Sequence, residues 1–188
     1  MIVPRADIGR LVTETFSASL LYLTAFVVNF ELILPIQNLF FPEYTSRASL
    51  LFLPHGVRVL AAWLMGWRST LALLPGVFLA FFYVAGPEVF TPSRLAGIFI
   101  AVTIAPAAFE GLRLLGVNLA PRPGRMPCWI CIMLVGLVAS VAGSMLTNLA
   151  FGSAPVDYFA YVIGDMAGLF FLMLALMLVF RWMRRFGR

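Results

Sequence analysis

Residues 49–68 read SLLFLPHGVRVLAAWLMGWR, a stretch apolar enough to enter a bilayer that nevertheless carries Pro54, His55, Gly56 and Arg58 in its interior. An ionised arginine at the centre of a hydrocarbon layer costs about 2.5–3.5 kcal/mol, so Arg58 is expected to face protein or water rather than lipid. Proline lacks the backbone donor and suits the first turn of a helix. Pro54 therefore predicts a helix that starts beside it, with residues 49–53 entering as extended chain or as a separate short turn. Such a break is tolerated in a membrane only where protein or a water-filled cavity covers the loose backbone groups.

The rest of the chain places this stretch among similar neighbours. Of its 188 residues, 62% are hydrophobic and 11% charged, a balance outside that of ordinary soluble domains. A hydrocarbon core of about 30 Å takes about 20 helical residues per crossing, so six crossings with short loops use nearly the whole length. The expectation is an all-α integral membrane protein: a single transmembrane domain, 1–188, forming a bundle of six transmembrane helices. The predicted spans are about 16–36, 49–67, 69–86, 94–116, 128–151 and 157–181, the second broken near Pro54. Pro75 and Gly76 predict a kink in the third span, and the segment VNLAPRPGRMP predicts a loop. No length remains for a soluble catalytic domain, and the chain is not expected to be an enzyme.

All 13 basic residues are arginine, against 8 acidic residues. With the N-terminus inside, Arg5, Arg10, Arg68, Arg113, Arg122, Arg125, Arg181, Arg184, Arg185 and Arg188 fall on the cytoplasmic side. Only Arg47 and Arg94 fall outside. This asymmetry predicts cytoplasmic N- and C-termini and a multi-pass protein of the bacterial inner membrane. The positive charges lie mostly at span ends, where anionic lipid accounts for them. No long soluble basic surface is available for nucleic acid. The expected partners are the lipid bilayer, a membrane protein, and a small polar or amphipathic ligand.

With directions assigned, depth follows from position at about 1.5 Å per helical residue. Glu31, His55, Arg58 and Asp165 then share a layer roughly 8–14 Å below the outer boundary, and Asn148 near the outer end of the fifth span is a further candidate. His55 and Arg58, three residues apart, lie on one helix face. These five residues are the candidate ligand-binding set. Arg58 and His55 would oppose Glu31 and Asp165 in an outward-facing pocket that holds a ligand or responds to protonation through His55. The competing reading is an internal salt bridge from Arg58 to Asp165 or Glu31 that fixes helix packing.

Three other features have simpler readings. Glu110 and Arg113, again three apart, predict a local ion pair at the inner end of the fourth span. Cys128 and Cys131 have the C-x-x-C spacing of redox and metal sites. That face offers no further Cys or His for zinc, so they are expected as reduced, small apolar residues at the start of a span. Gly136, Ala139, Ala142, Gly143 and Ser144 predict a close helix contact. No cofactor is identified; His55 is the sole histidine, so an axial-ligand site would have to rest on it alone.

FLPHGVRVLAAWLMGWRSTLALLPGVFLA resembles the second and third spans of the bacterial membrane-associated sensor domain family, with its aromatic-x-Pro-x-Gly start and later Pro-Gly-hydrophobic span. YVIGDMAGLFFLMLALML resembles that family's last span through Gly164, Asp165 and Gly168. The resemblance covers about a third of the chain. It implies a polytopic helical sensor fold of the kind that feeds histidine kinases or diguanylate cyclases, here without an output domain. The size and six-span plan are also similar to the substrate-binding subunits of energy-coupling-factor vitamin transporters. The functions expected are a stand-alone sensor-like or ligand-binding module acting with partner proteins, a small-solute uptake subunit, or a structural subunit of a larger membrane complex.

Overall fold

The computed structural model describes residues 5–40, 49–121, 127–151 and 158–186. Arg47, Arg122, Arg125, Asp157 and Arg188 lie outside them. Every regular element among the described residues is helical. Helix α1 (Arg5–Val27) continues through a π-helical turn (Val28–Ile33) into α2 (Leu34–Phe40). Then follow α3 (Leu53–Met65), α4 (Arg68–Ala85) with a 3-10 turn behind it (Gly86–Phe90), α5 (Pro92–Leu114), α6 (Trp129–Phe151) and α7 (Tyr158–Phe186). Five helical stretches, Gly9–Phe40, Arg68–Phe90, Pro92–Leu114, Trp129–Phe151 and Phe159–Arg185, are long and apolar enough to cross a membrane.

Helix α3 differs from these five. With 13 residues it is about 20 Å long, too short to cross a 30 Å core alone, yet it buries eight of those residues. It packs on α1, α4, α5, α6 and α7, and it contributes to both halves of the core. Val57 and Ala61 join Tyr22, Phe26, Leu73, Val77 and Val102 on one side; Val59, Leu60 and Ala62 join Ile132, Leu169 and Met173 on the other. A short apolar helix is thus the axle of the bundle.

The break predicted at Pro54 is present: residues 49–52 are not helical, and Pro54 sits in the first turn of α3. The backbone donors of Leu50, Leu51 and Phe52 are nevertheless satisfied. Leu50 N–H donates to Gln37 Oε1 at 2.7 Å, Leu51 N–H to Ser49 Oγ at 3.3 Å, and Phe52 N–H to the Gly164 carbonyl at 2.8 Å. The last bond is possible because α7 presents glycines four residues apart. A Cβ on Gly164 would run into the Ser49 carbonyl, and one on Gly168 into the Phe52 carbonyl. Gly56 answers from α3, where a Cβ would stand 3.0 Å from Leu169 Cα. Backbone against backbone is how helices approach closely where lipid supplies no hydrophobic drive.

The prolines inside helices leave polar gaps that neighbours fill. In α4, Pro75 precedes Gly76, and the Ser19 hydroxyl of α1 enters the turn. It donates to the Ala72 carbonyl at 2.8 Å and accepts the Gly76 N–H at 3.1 Å. Pro106 of α5 cannot donate to the Val102 carbonyl; the Thr70 hydroxyl of α4 does so at 3.3 Å. At the helix ends, Glu14 bridges Arg10 and Arg68, both at 2.9 Å, and Glu110 pairs with Arg113 at 2.7 Å as their spacing implies.

The expectation for the cysteines is corrected. Cys128 and Cys131 are joined by a disulfide, and no free cysteine is found. The first turn of α6 brings their Cα atoms to 5.2 Å, inside the range that a disulfide spans.

Candidate functional site

Three of the five candidate residues meet where α3, α6 and α7 converge. Pro54 starts α3 so that His55 and Arg58 occupy successive turns of one face, and the Gly164/Gly168 contact holds that face against α7. Asp165, next to Gly164, therefore points into the junction. His55 Nδ1 lies 3.3 Å from Asp165 Oδ2, and Arg58 Nη2 lies 3.5 Å from the same Nδ1. From α6, the Gly136 carbonyl faces His55 Nε2 at 3.2 Å, and the Ser140 hydroxyl donates to Asp165 Oδ2 at 2.6 Å. His55, Ser140 and Asp165 are buried, while Arg58 is half-buried with its guanidinium 5.9 Å from the centre of the Phe52 ring. Arg58 Nε is buried with no hydrogen-bond partner among the described residues.

Asp165 lies about 11 Å along α7 from Tyr158, and Ser140 about 17 Å along α6 from Phe151. Asp165 thus falls inside the layer expected from the sequence, and Ser140 somewhat beyond its deep end.

The hydrogen-bond inventory constrains the proton count. A carbonyl only accepts, so Nε2 of His55 carries a proton toward Gly136. Asp165 Oδ2 already accepts from Ser140. Nδ1 and Oδ2 then face each other as two acceptors unless one further proton lies between them, on the ring as imidazolium or on the carboxyl as acid. Without that proton, Arg58 and Asp165 balance to zero net charge. With it, the cluster carries one positive charge whichever atom holds it. Asp165 and Arg58 do not pair directly among the described residues; the imidazole stands between them.

The other two candidates are elsewhere. Glu31 is exposed and accepts a hydrogen bond from the Tyr83 hydroxyl at 2.8 Å. The π-helical turn is the physical reason: its wider winding re-aims the side chains of α1, turning Asn29 inward and Glu31 outward. Asn29 is buried, with neither side-chain polar atom partnered among the described residues. Asn148 donates to the Ser144 carbonyl of its own helix at 3.0 Å.

Sequence reading passed over Ser140, the Gly136 carbonyl and Tyr22. Ser140 follows Gly136 by four residues on the small-residue face of α6, a spacing that puts both toward the same neighbour. Tyr22 of α1 is buried and within electrostatic reach of both Arg58 and Asp165. Two surface hollows, one beside Arg181, Trp182 and Arg185 and one beside Pro75, Phe78 and Phe99, do not touch the cluster. Among the described residues no group of three or more His, Cys, Asp or Glu side chains could hold a metal ion. No protein-family model matches the chain, and no curated protein or solved structure is detectably similar to it.

Proposed function

We propose that the chain is a sensor-like membrane module that responds to protonation at the His55–Asp165 pair and passes the change to a partner membrane protein through the packing of α3 against α6 and α7. The observation that carries this reading is the facing of His55 Nδ1 and Asp165 Oδ2 at 3.3 Å, an approach that is attractive with one shared proton and repulsive without it. Uptake of that proton adds a full charge in a low-dielectric junction, and so shifts the balance between helix arrangements. Arg58 supplies the compensating charge in the deprotonated state, donating to Nδ1 across 3.5 Å. Both termini are read as cytoplasmic, in a bacterial inner membrane. Arg10, Arg68, Arg113 and the C-terminal arginines Arg181, Arg184 and Arg185 support this orientation, with α3 and its lead-in together serving as the sixth, broken crossing.

The test uses the fact that His55 is the sole histidine. Full-length chain with 15N-labelled histidine, reconstituted in lipid nanodiscs, gives one imidazole spectrum. It is followed from about pH 5 to about pH 8, together with a spin-label distance between the ends of α3 and α7. The expected result is a ring protonation that moves with the interhelical distance in wild type, and a distance that stays constant in Asp165→Asn. A ring that changes protonation while the helices hold still would remove the sensing role. So would a ring with a constant protonation state.

A further inference from the structure

The disulfide at the head of α6 lies outside the polar cluster and does nothing for the bundle. It joins two residues of a single helical turn, both already positioned by α6, and so ties no two elements together. Its surroundings are those of a reactive pair. The Cys128 carbonyl accepts the Ile132 N–H at 3.0 Å, which makes Cys128 the residue that caps the helix. The Cys131 N–H donates to Cys128 Sγ at 3.2 Å, within the positive end of the helix dipole. Once the disulfide is reduced, both features favour a thiolate on Cys128. Accessibility separates the two sulfurs: Cys128 is exposed and Cys131 half-buried one turn on. Beside them Trp129 and Ile130 are 44% and 74% exposed.

We propose that Cys128 and Cys131 form a thiol–disulfide exchange site at the membrane surface, with Cys128 as the attacking sulfur, Cys131 as the resolving sulfur, and disulfides and thiols as the substrate class. In the oxidising direction for this chain, the Cys128 thiolate attacks one sulfur of a substrate disulfide. That S–S bond breaks, and the first substrate thiolate leaves and takes a proton from water. Cys131 loses its proton to water and attacks Cys128 Sγ in the mixed disulfide, expelling the second substrate thiolate, which is protonated in turn. Two electrons pass from the chain to the substrate, leaving the Cys128–Cys131 disulfide and two substrate thiols. Two thiols run the same steps backwards and reset the site. The orientation proposed above puts Cys128 on the cytoplasmic side, where thiols of this class are abundant.

The experiment uses full-length chain in nanodiscs, exposed to glutathione buffers of varied ratio and, separately, to a reduced dithiol protein of the thioredoxin type. Thiol state is read by maleimide mass tagging. Reversible conversion as a two-electron couple is expected. Conversion by glutathione alone assigns a small thiol as the source, and conversion only by the dithiol protein assigns a protein source. Conversion by neither overturns the proposal. Cys131→Ser should accumulate a glutathione mixed disulfide at Cys128 about tenfold faster than Cys128→Ser does at Cys131. Equal trapping in the two variants would mean that Cys128 has no special reactivity and would overturn the assignment. Both positions lie at the end of α6, away from the core, and unchanged elution of each variant is the control for folding.

Discussion

At the α1–α4 contact one hydroxyl, Ser19, completes a helical turn that Pro75 interrupts; at the α3–α6–α7 contact four side chains share a junction and still leave Arg58 Nε without a hydrogen-bond partner among the described residues. Both are buried polar contacts between tightly packed helices. In the first, the Ser19 hydroxyl both donates and accepts and does not titrate, so the bridge itself has a single charge state. In the second, His55 Nδ1 and Asp165 Oδ2 stand 3.3 Å apart, and under the proposed function one proton between them sets the net charge of the junction. The lesson is that burial and polarity alone do not mark a site. What does is a proton count that the surrounding hydrogen bonds leave open.

The strongest blow to that contrast comes from Asp165. Asp165→Ala leaves Arg58 and His55 in the junction without their counter-charge, and removing one partner of a buried charged pair costs about 3–5 kcal/mol. Thermal unfolding of the reconstituted chain should show this as a large drop in midpoint. Combining it with Arg58→Ala should be milder than the sum of the single changes, because the pair is coupled through His55; strict additivity would mean that the two charges do not sense each other. Gly168→Ala comes next. Its methyl has no room against the Phe52 carbonyl, and overpacking of this kind costs about 1–3 kcal/mol. Tolerance of that methyl would show that the lead-in to α3 can retreat from α7, and the rigid frame around the proton pair would be lost.

At the plain contact, Ser19→Ala should cost about 1 kcal/mol, since it leaves the Gly76 N–H and the Ala72 carbonyl without the bridging hydroxyl in an apolar setting. The comparison is sharpened by its pH behaviour. With no titrating group in the Ser19 bridge itself, Ser19→Ala should lower the unfolding midpoint by the same amount at every pH, whereas the deficit of Asp165→Ala should vary with pH. A pH-dependent Ser19 deficit would erase the distinction between the two contacts.

Much of the junction was legible in the sequence because charged residues are rare in apolar spans, and three of them could be ranked by depth. Pro54 announced the helix start, which in turn set His55 and Arg58 on one face, and five of the six predicted spans coincide with helices long enough to cross. The break in the second span was legible from Pro54, and residues 49–52 are indeed irregular; what 49–67 alone does not carry is the partner that holds them, the Gly164 and Gly168 backbone of α7. Ser140 was invisible because serine at a small-residue helix face serves packing as readily as hydrogen bonding. Glu31 is separated from the junction by direction rather than depth, because the π-helical turn at Val28–Ile33 rotates the face on which it lies. C-x-x-C spacing at Cys128 was visible as a pattern, but the pattern is the same for thiols and for a disulfide.

Glu31 and Asn148 give the smallest expected effect, and for that reason they separate depth from contact. Both lie at levels that the sequence groups with the junction, yet Glu31 meets the Tyr83 hydroxyl at the exposed edge of the bundle and Asn148 bonds within its own helix. The exposed Glu31–Tyr83 bond is replaced by bonds to water or headgroup oxygens when one partner is removed. The half-buried Asn148 leaves unpaired only a carbonyl of its own helix that already has its helical bond, so little free energy is lost in either case. Glu31→Gln and Asn148→Ala should therefore leave the unfolding midpoint and the His55 spectrum where they are in wild type. A shift of the imidazole resonance in Glu31→Gln would mean that its carboxylate reaches the junction after all. The proton pair would then answer to two carboxylates, and the boundary drawn here around His55, Asp165, Ser140 and Arg58 would have to be moved outward to α1.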